Sequence, residues 1–235
     1  MTNKHTLQIF DQDLSALSGE IVNLASEVNE ELEKAIQALI TADPALASAV
    51  IDSDRRVDEL QDRINAHTTR TLARQQAMAD DLRVILAAAR IAPHLERIGD
   101  YAKNTAKRSK QLTSPVNAEI AAQFSWMGAR IAAMLRRVTD AYVTHDADLA
   151  NVAWSDDAEL DAVYAKLFAH LLARMRENSA YVADGTQLLF IAKGLERTGD
   201  HVTDIAEEVY LMVTGKPLKG PRPKVDEADA NVAGV

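Results

Sequence analysis

The sequence predicts an all-α protein: two tandem three-helix bundles, six long helices in an internal repeat. Three observations carry that expectation. Apolar residues recur at steps of three and four over long stretches, the spacing of a helix that buries one face. Glycine and proline are scarce, 9 and 6 in 235 residues, so few positions interrupt a helix. The pentapeptide Glu96-Arg97-Ile98-Gly99-Asp100 also returns, one hundred residues later, as Glu196-Arg197-Thr198-Gly199-Asp200.

The first helix is expected from Phe10 to about Thr41, with Leu14, Leu17, Ile21, Leu24, Val28, Leu32, Ala35 and Leu39 on its inner face. Asp43-Pro44 then supplies an N-cap and a proline at the first helical position, which restarts the chain. A second helix buries Leu46, Val50, Val57, Leu60 and Ile64 and ends near Arg74, before a break at Gln75-Gln76-Ala77. The third runs from Asp80-Asp81 to about Leu112, burying Leu82, Ile85, Ala89, Ala92 and Leu95. Pro93 lies inside it and predicts a kink, because it removes one backbone donor and crowds the carbonyl of Ala89.

Ser114-Pro115 opens the second half, and a fourth helix turns Ile120, Phe124, Met127, Ile131, Met134, Leu135 and Val138 inward. The fifth begins at Asp146 with Leu149, Leu160, Val163, Leu167 and Leu171 inside. Asn178-Ser179 caps the sixth, which Gly215 and Pro217 end. The expected units are therefore residues 1–113 and 114–215, with 216–235 a mobile tail that has little to bury.

The repeat extends beyond the pentapeptide. Thr41, Asp43, Leu46, Ala47, Asp54 and Asp58 match Thr144, Asp146, Leu149, Ala150, Asp157 and Asp161, each 103 later. It doubles a set of acids: Asp54/Asp58 with Glu96/Asp100, and Asp157/Asp161 with Glu196/Asp200, every pair at i and i+4. Like charges so spaced work against a helix. On neighbouring helices these stripes can face one another, and converging carboxylates need a cation. Arg55, Arg56, Arg97, Lys103 and Arg197 provide one answer; a metal ion provides the other. Oxygen donors without thiolate suit Mg²⁺, Ca²⁺ or Mn²⁺, and iron as well. Asn104 and Asp204 extend each stripe by another turn.

Other features bound the function. A formal charge of −9 and a pI near 5.2 argue against nucleic acid as a partner. There is no cysteine, which excludes disulfides and thiolate chemistry and fits a cytoplasmic setting. Residues 1–14 do not read as a signal peptide, and no apolar run approaches the roughly 20 residues of a spanning helix. The Glu-x-x-His spacing of di-iron bundles, a phosphate loop and a nucleophile elbow are all missing, so the expectation is a non-enzyme. His201 is expected to face outward and His94 has no counterpart at Gly194; Trp126 and Trp154 read as core or interface aromatics.

Residues 195–207, Leu-Glu-Arg-Thr-Gly-Asp-His-Val-Thr-Asp-Ile-Ala-Glu, followed by Thr214-Gly215-Lys216, resemble the second signature of the PhoU family of bacterial phosphate-uptake regulators. Leu95 to Asn104, preceded by Asp81-Leu82-Arg83, resembles the first. The resemblance implies paired three-helix bundles that assemble as a homodimer and hold metal ions through acid-x-x-x-Asp motifs. By position these are Asp54, Asp58, Glu96, Asp100 and Asn104, then Asp157, Asp161, Glu196, Asp200 and Asp204. The implied metal is iron, zinc, magnesium or manganese. The implied role is negative regulation of the phosphate-starvation response. Its implied partners are the ATPase subunit of the phosphate ABC importer and a phosphate-sensing histidine kinase, through which alone it meets the membrane. Ala77, Pro93 and Thr198 depart from the family pattern without removing a candidate ligand.

Overall fold

A computed structural model describes residues 2–74 and 79–218. The expected break at Gln75-Gln76-Ala77 and most of the expected tail lie outside the described residues. Among those described there is no strand. The first bundle is α1 (Thr2–Thr41), α2 (Pro44–Arg74) and α3 (Ala79–Ser109). The second is α4 (Ala118–Thr144), α5 (Ala147–Ser155), α6 (Asp157–Glu177) and α7 (Val182–Thr214). A 3₁₀ turn, Ser179–Tyr181, precedes α7.

Both α1–α2 and α4–α5 turns use one device. Ala42 and His145 adopt left-handed backbone angles, φ 51° and 55°, and the next residue, Asp43 or Asp146, caps the new helix. Asp43 Oδ1 accepts from the Ala45 and Leu46 amides at 2.9 and 3.0 Å; Asp146 Oδ1 accepts from Leu149 at 2.9 Å. Each cap satisfies amides that the first helical turn leaves without a partner.

Most of the expected inner faces are inside. Leu17, Leu24, Leu32, Val50, Ile64, Phe124, Met134, Leu160 and Leu171 are fully buried, and each such side chain contributes roughly 1.5–3 kcal/mol. Leu82 is an exception at 36% exposed; Ile91 and Ile98 take the inner positions of α3 beside Ala92 and Leu95. The expected fifth helix is two segments, because Asp156 interrupts it between α5 and α6. Helix α3 continues through Pro93 as one element and ends at Ser109, three residues before the expected end at Leu112.

The two bundles lie side by side, α1 against α4 and α3 against α7. Contacts along α3 and α7 run in opposite order, which makes the pair antiparallel. Arg83 donates to the Met212 carbonyl at 3.0 Å, Arg90 to Glu208 at 3.2 Å, and Arg108 to Gln187 at 2.8 Å. The link between bundles is pinned at Asp184, which accepts from Thr113 N, Thr113 Oγ1 and Ser114 Oγ at 2.9, 3.0 and 2.8 Å. Equivalent residues of the two repeats therefore sit across one antiparallel helix pair, in local two-fold relation.

Candidate functional site: two acidic clusters and a histidine pair

In the first repeat the stripes of α2 and α3 meet over a lysine. Lys103 Nζ donates to Asp54 Oδ2 and to Asp100 Oδ1, both at 2.7 Å. Arg97 closes the outer side, 3.1 Å from Asp100. Burial, then the charge of Asp100, pushes the Glu96 carboxyl above its ordinary value, and the two share a hydrogen bond. Burial works to raise Asp100 too, but hydrogen bonding and charge from Lys103 outweigh it and hold that group low. Burial and then the charge of Asp54 push the exposed Asp58 up.

A third helix joins this cluster. Glu31 of α1 is 3% exposed and accepts from Ser53 Oγ of α2 at 2.6 Å. Burial first, and the nearby charge of Asp54, raise its pKa to about 7. Glu31 was absent from the expected ligands because no motif marks it; its only signal is an acid on the apolar seam between Val28 and Leu32.

The second repeat keeps the acids and changes the cation. The residue equivalent to Lys103 is Thr203, fully buried, whose hydroxyl donates to the Asp200 carbonyl at 2.8 Å. Charge is supplied from the edge instead. Lys193 lies 2.8 Å from Glu196, and Arg197 is 4.0 and 3.6 Å from Glu196 and Asp200. Asp157, at the first turn of α6, is 1% exposed and lies against α7 at Gly199. A Cβ on Gly199 would stand 2.7 Å from Asp157 Oδ1, so the missing side chain is what admits this carboxylate. Asp161, one turn along α6, is half-buried.

The outermost expected donors lie at the α3–α7 junction. Asn104 is exposed and lines a cavity of about 320 Å³ with Tyr101, Arg108, Phe190 and Arg197. Asp204 Oδ2 lies 3.5 Å from His94 Nδ1 and 3.6 Å from His201 Nδ1. The two histidines, one expected to face outward and the other without a counterpart in the repeat, are 3.1 Å apart between their Nδ1 atoms. Helical angles within α7 placed His201 outward from its own bundle; that direction is the face of α3. Burial, against the opposing charge of Asp204, lowers the His94 pKa. Trp154 is buried and its indole donates to Glu207 at 2.9 Å, whereas Trp126 is 40% exposed.

With this geometry in view, the comparisons with known proteins are concordant. A family model described as the PhoU domain matches twice, at residues 21–109 and 124–209. A Rhizobium meliloti protein named phosphate-specific transport system accessory protein PhoU homolog is 37% identical, over 96% of each chain. A Caulobacter vibrioides protein of the same name is 38% identical, over 95% of this chain and 97% of the other. The crystal structure of PhoU from Pseudomonas aeruginosa superposes with a TM-score of 0.84 at 30% identity, over 88% of this chain and all of that one. That of the phosphate transport system regulatory protein PhoU from Streptococcus pneumoniae gives 0.83 at 29%, over 89% and 99%.

Proposed function

This chain belongs to the PhoU family, and from that premise we propose that it is a negative regulator of the phosphate-starvation response. It acts as an adaptor between the ATPase subunit of the phosphate ABC importer and a phosphate-sensing histidine kinase, in the cytoplasm and as a homodimer. The observation that carries this reading is whole-length similarity to relatives named as accessory proteins of the phosphate-specific transport system. Long paired helices offer docking surface rather than a reaction centre, which supports binding over turnover. Among the described residues no helix is long and apolar enough to cross a membrane, which supports contact with the membrane through those partners.

Metal is part of the proposal, and the two acidic clusters do not suit it equally. Asp54 and Asp100 already hold the ammonium of Lys103 between them, so an ion shared by Asp54, Asp58, Glu96 and Asp100 must displace it there. Asp157, Asp161, Glu196 and Asp200 have a buried threonine at the equivalent place and fit an oxygen-ligated divalent ion better. Such an ion would add positive charge to the α6–α7 face, where a partner could meet it.

The regulatory reading is tested in the source organism. A deletion strain is expected to express alkaline phosphatase in high phosphate, and continued repression there would count against the role. The metal reading is tested separately, by metal content of the purified protein. Glu196→Gln with Asp200→Asn is expected to lower it, and unchanged content would remove the second cluster from consideration.

A further inference from the structure

His94 and His201 meet Asp204, the outermost acid of the second stripe, at the α3–α7 junction. Two imidazole nitrogens and one carboxylate oxygen converge at separations of 3.1, 3.5 and 3.6 Å. Ligand atoms around a tetrahedral zinc with bonds of about 2.0–2.1 Å are spaced by roughly 3.3 Å. The three observed separations bracket that value.

Hydrogen bonding alone accounts for one edge of this triangle. The 3.1 Å contact between the rings is an ordinary N–H···N distance, but Asp204 Oδ2 is nearly equidistant from both nitrogens and beyond good hydrogen-bond reach of either. One ion placed between the three atoms would take a ligand atom from each of the three side chains. The side chains of His94, His201 and Asp204 are 29%, 22% and 40% exposed, enough for an ion to enter from solvent.

The internal repeat supplies a built-in comparison. Across the antiparallel α3–α7 pair the positions equivalent to His94, His201 and Asp204 are Gly194, Tyr101 and Asn104. Those residues line a cavity and offer no imidazole or carboxylate. Packing of α3 on α7 is thus achieved without these side chains at one end, while all three ligating groups occur together at the other.

We propose that His94, His201 and Asp204 form a binding site for one divalent transition ion of the zinc type, joining the first repeat to the second. Imidazole with a single carboxylate suits Zn²⁺, Co²⁺, Ni²⁺ or Fe²⁺ over Mg²⁺ and Ca²⁺. Three protein ligands leave a further coordination position for water or an incoming anion. Because His94 belongs to α3 and the other two ligands to α7, the ion clamps the bundles together. The site shares no ligand with Asp157, Asp161, Glu196 or Asp200 and does not depend on the regulatory role.

The experiment titrates Zn²⁺ into chelator-stripped full-length protein by calorimetry and follows Co²⁺ by visible absorption. Wild type is expected to bind about one more equivalent of Zn²⁺ than His94→Ala or His201→Ala, and to show a Co²⁺ spectrum that both variants lose. His94→Gln keeps much of the side-chain volume and should behave as His94→Ala does. Glu196→Gln with Asp200→Asn should keep the histidine-dependent equivalent. Equal Zn²⁺ stoichiometry in wild type and His94→Gln overturns the site. So does a loss of thermal stability in His94→Gln that is the same with and without Zn²⁺, which would mean a hydrogen-bonded pair only.

Discussion

Lys103 reaches from α3 to α2 and donates to Asp54 at 2.7 Å, neutralising carboxylates from two helices with one ammonium. Its side chain is 20% exposed and that of Asp54 is 11% exposed, so water does little of the same work. Lys103→Met removes the charge and keeps much of the length. The variant is expected to lose about 1–3 kcal/mol, since the acids remain half-buried without their partner. Added Mn²⁺ should restore part of that loss in the variant and change wild type less. Chemical denaturation with and without Mn²⁺ checks both halves; a variant as stable as wild type in chelator contradicts the assignment.

Gly99 and Gly199 are equivalent in sequence but not in space. A Cβ at Gly99 would meet Val57 Cγ1 at 3.2 Å and Glu31 Oε2 at 3.6 Å, which small shifts can relieve. At Gly199 it would overlap Leu160 and stand 2.7 Å from Asp157 Oδ1. Gly199→Ala should therefore cost about 1–3 kcal/mol and Gly99→Ala less. The order of their urea midpoints decides it.

Glu31 makes stability fall with rising pH. Its folded pKa of about 7 lies above the ordinary carboxylate value of 4.5, so the folded state holds this proton more tightly than the unfolded chain. Its contribution is fully present below pH 4.5 and is lost as pH rises through 7. Linkage makes the difference on the order of 3 kcal/mol. In metal-free protein Glu31→Gln should retain the bond from Ser53 and gain stability relative to wild type at pH 8. Melting temperatures of the two proteins at pH 5 and pH 8 test this, and parallel curves would refute it.

Ala42 holds a left-handed backbone, φ 51°, that costs an L-residue with a Cβ about 1–2 kcal/mol. Glycine adopts it without that cost, although it has more freedom to lose on folding. Ala42→Gly should raise the melting temperature by about 2–4 °C in a chain of this size. A lower melting temperature would mean that the turn is not strained.

Much of the fold could be read from residue order alone. Periodicity placed Leu17, Ile21, Leu24 and Val28 inside α1, and Asp43, Asp146 and Gly215 marked helix ends because caps act on neighbours a few residues away. The doubled pentapeptide gave the repeat. The interruption at Asp156 was less visible. This residue reads as one more acid in a run, and what distinguishes it is its pairing with Arg130 and Arg137 of α4.

The sequence by itself determined most of the helices and of their inner faces, the two-fold repeat and which acids share a stripe, because each follows from interactions within a few residues of chain. Only the tertiary structure decided how those stripes are compensated and what the repeats place between them. Lys103 and Thr203 look like a minor difference until α2 and α3 are set against each other and the ammonium is found among the carboxylates. Glu31 becomes part of that cluster only when α1 packs beside Ser53. His94 and His201 are 107 residues apart and meet because α3 and α7 run antiparallel at one register. Contacts across helices depend on the angle and offset of packed surfaces, which no local pattern encodes.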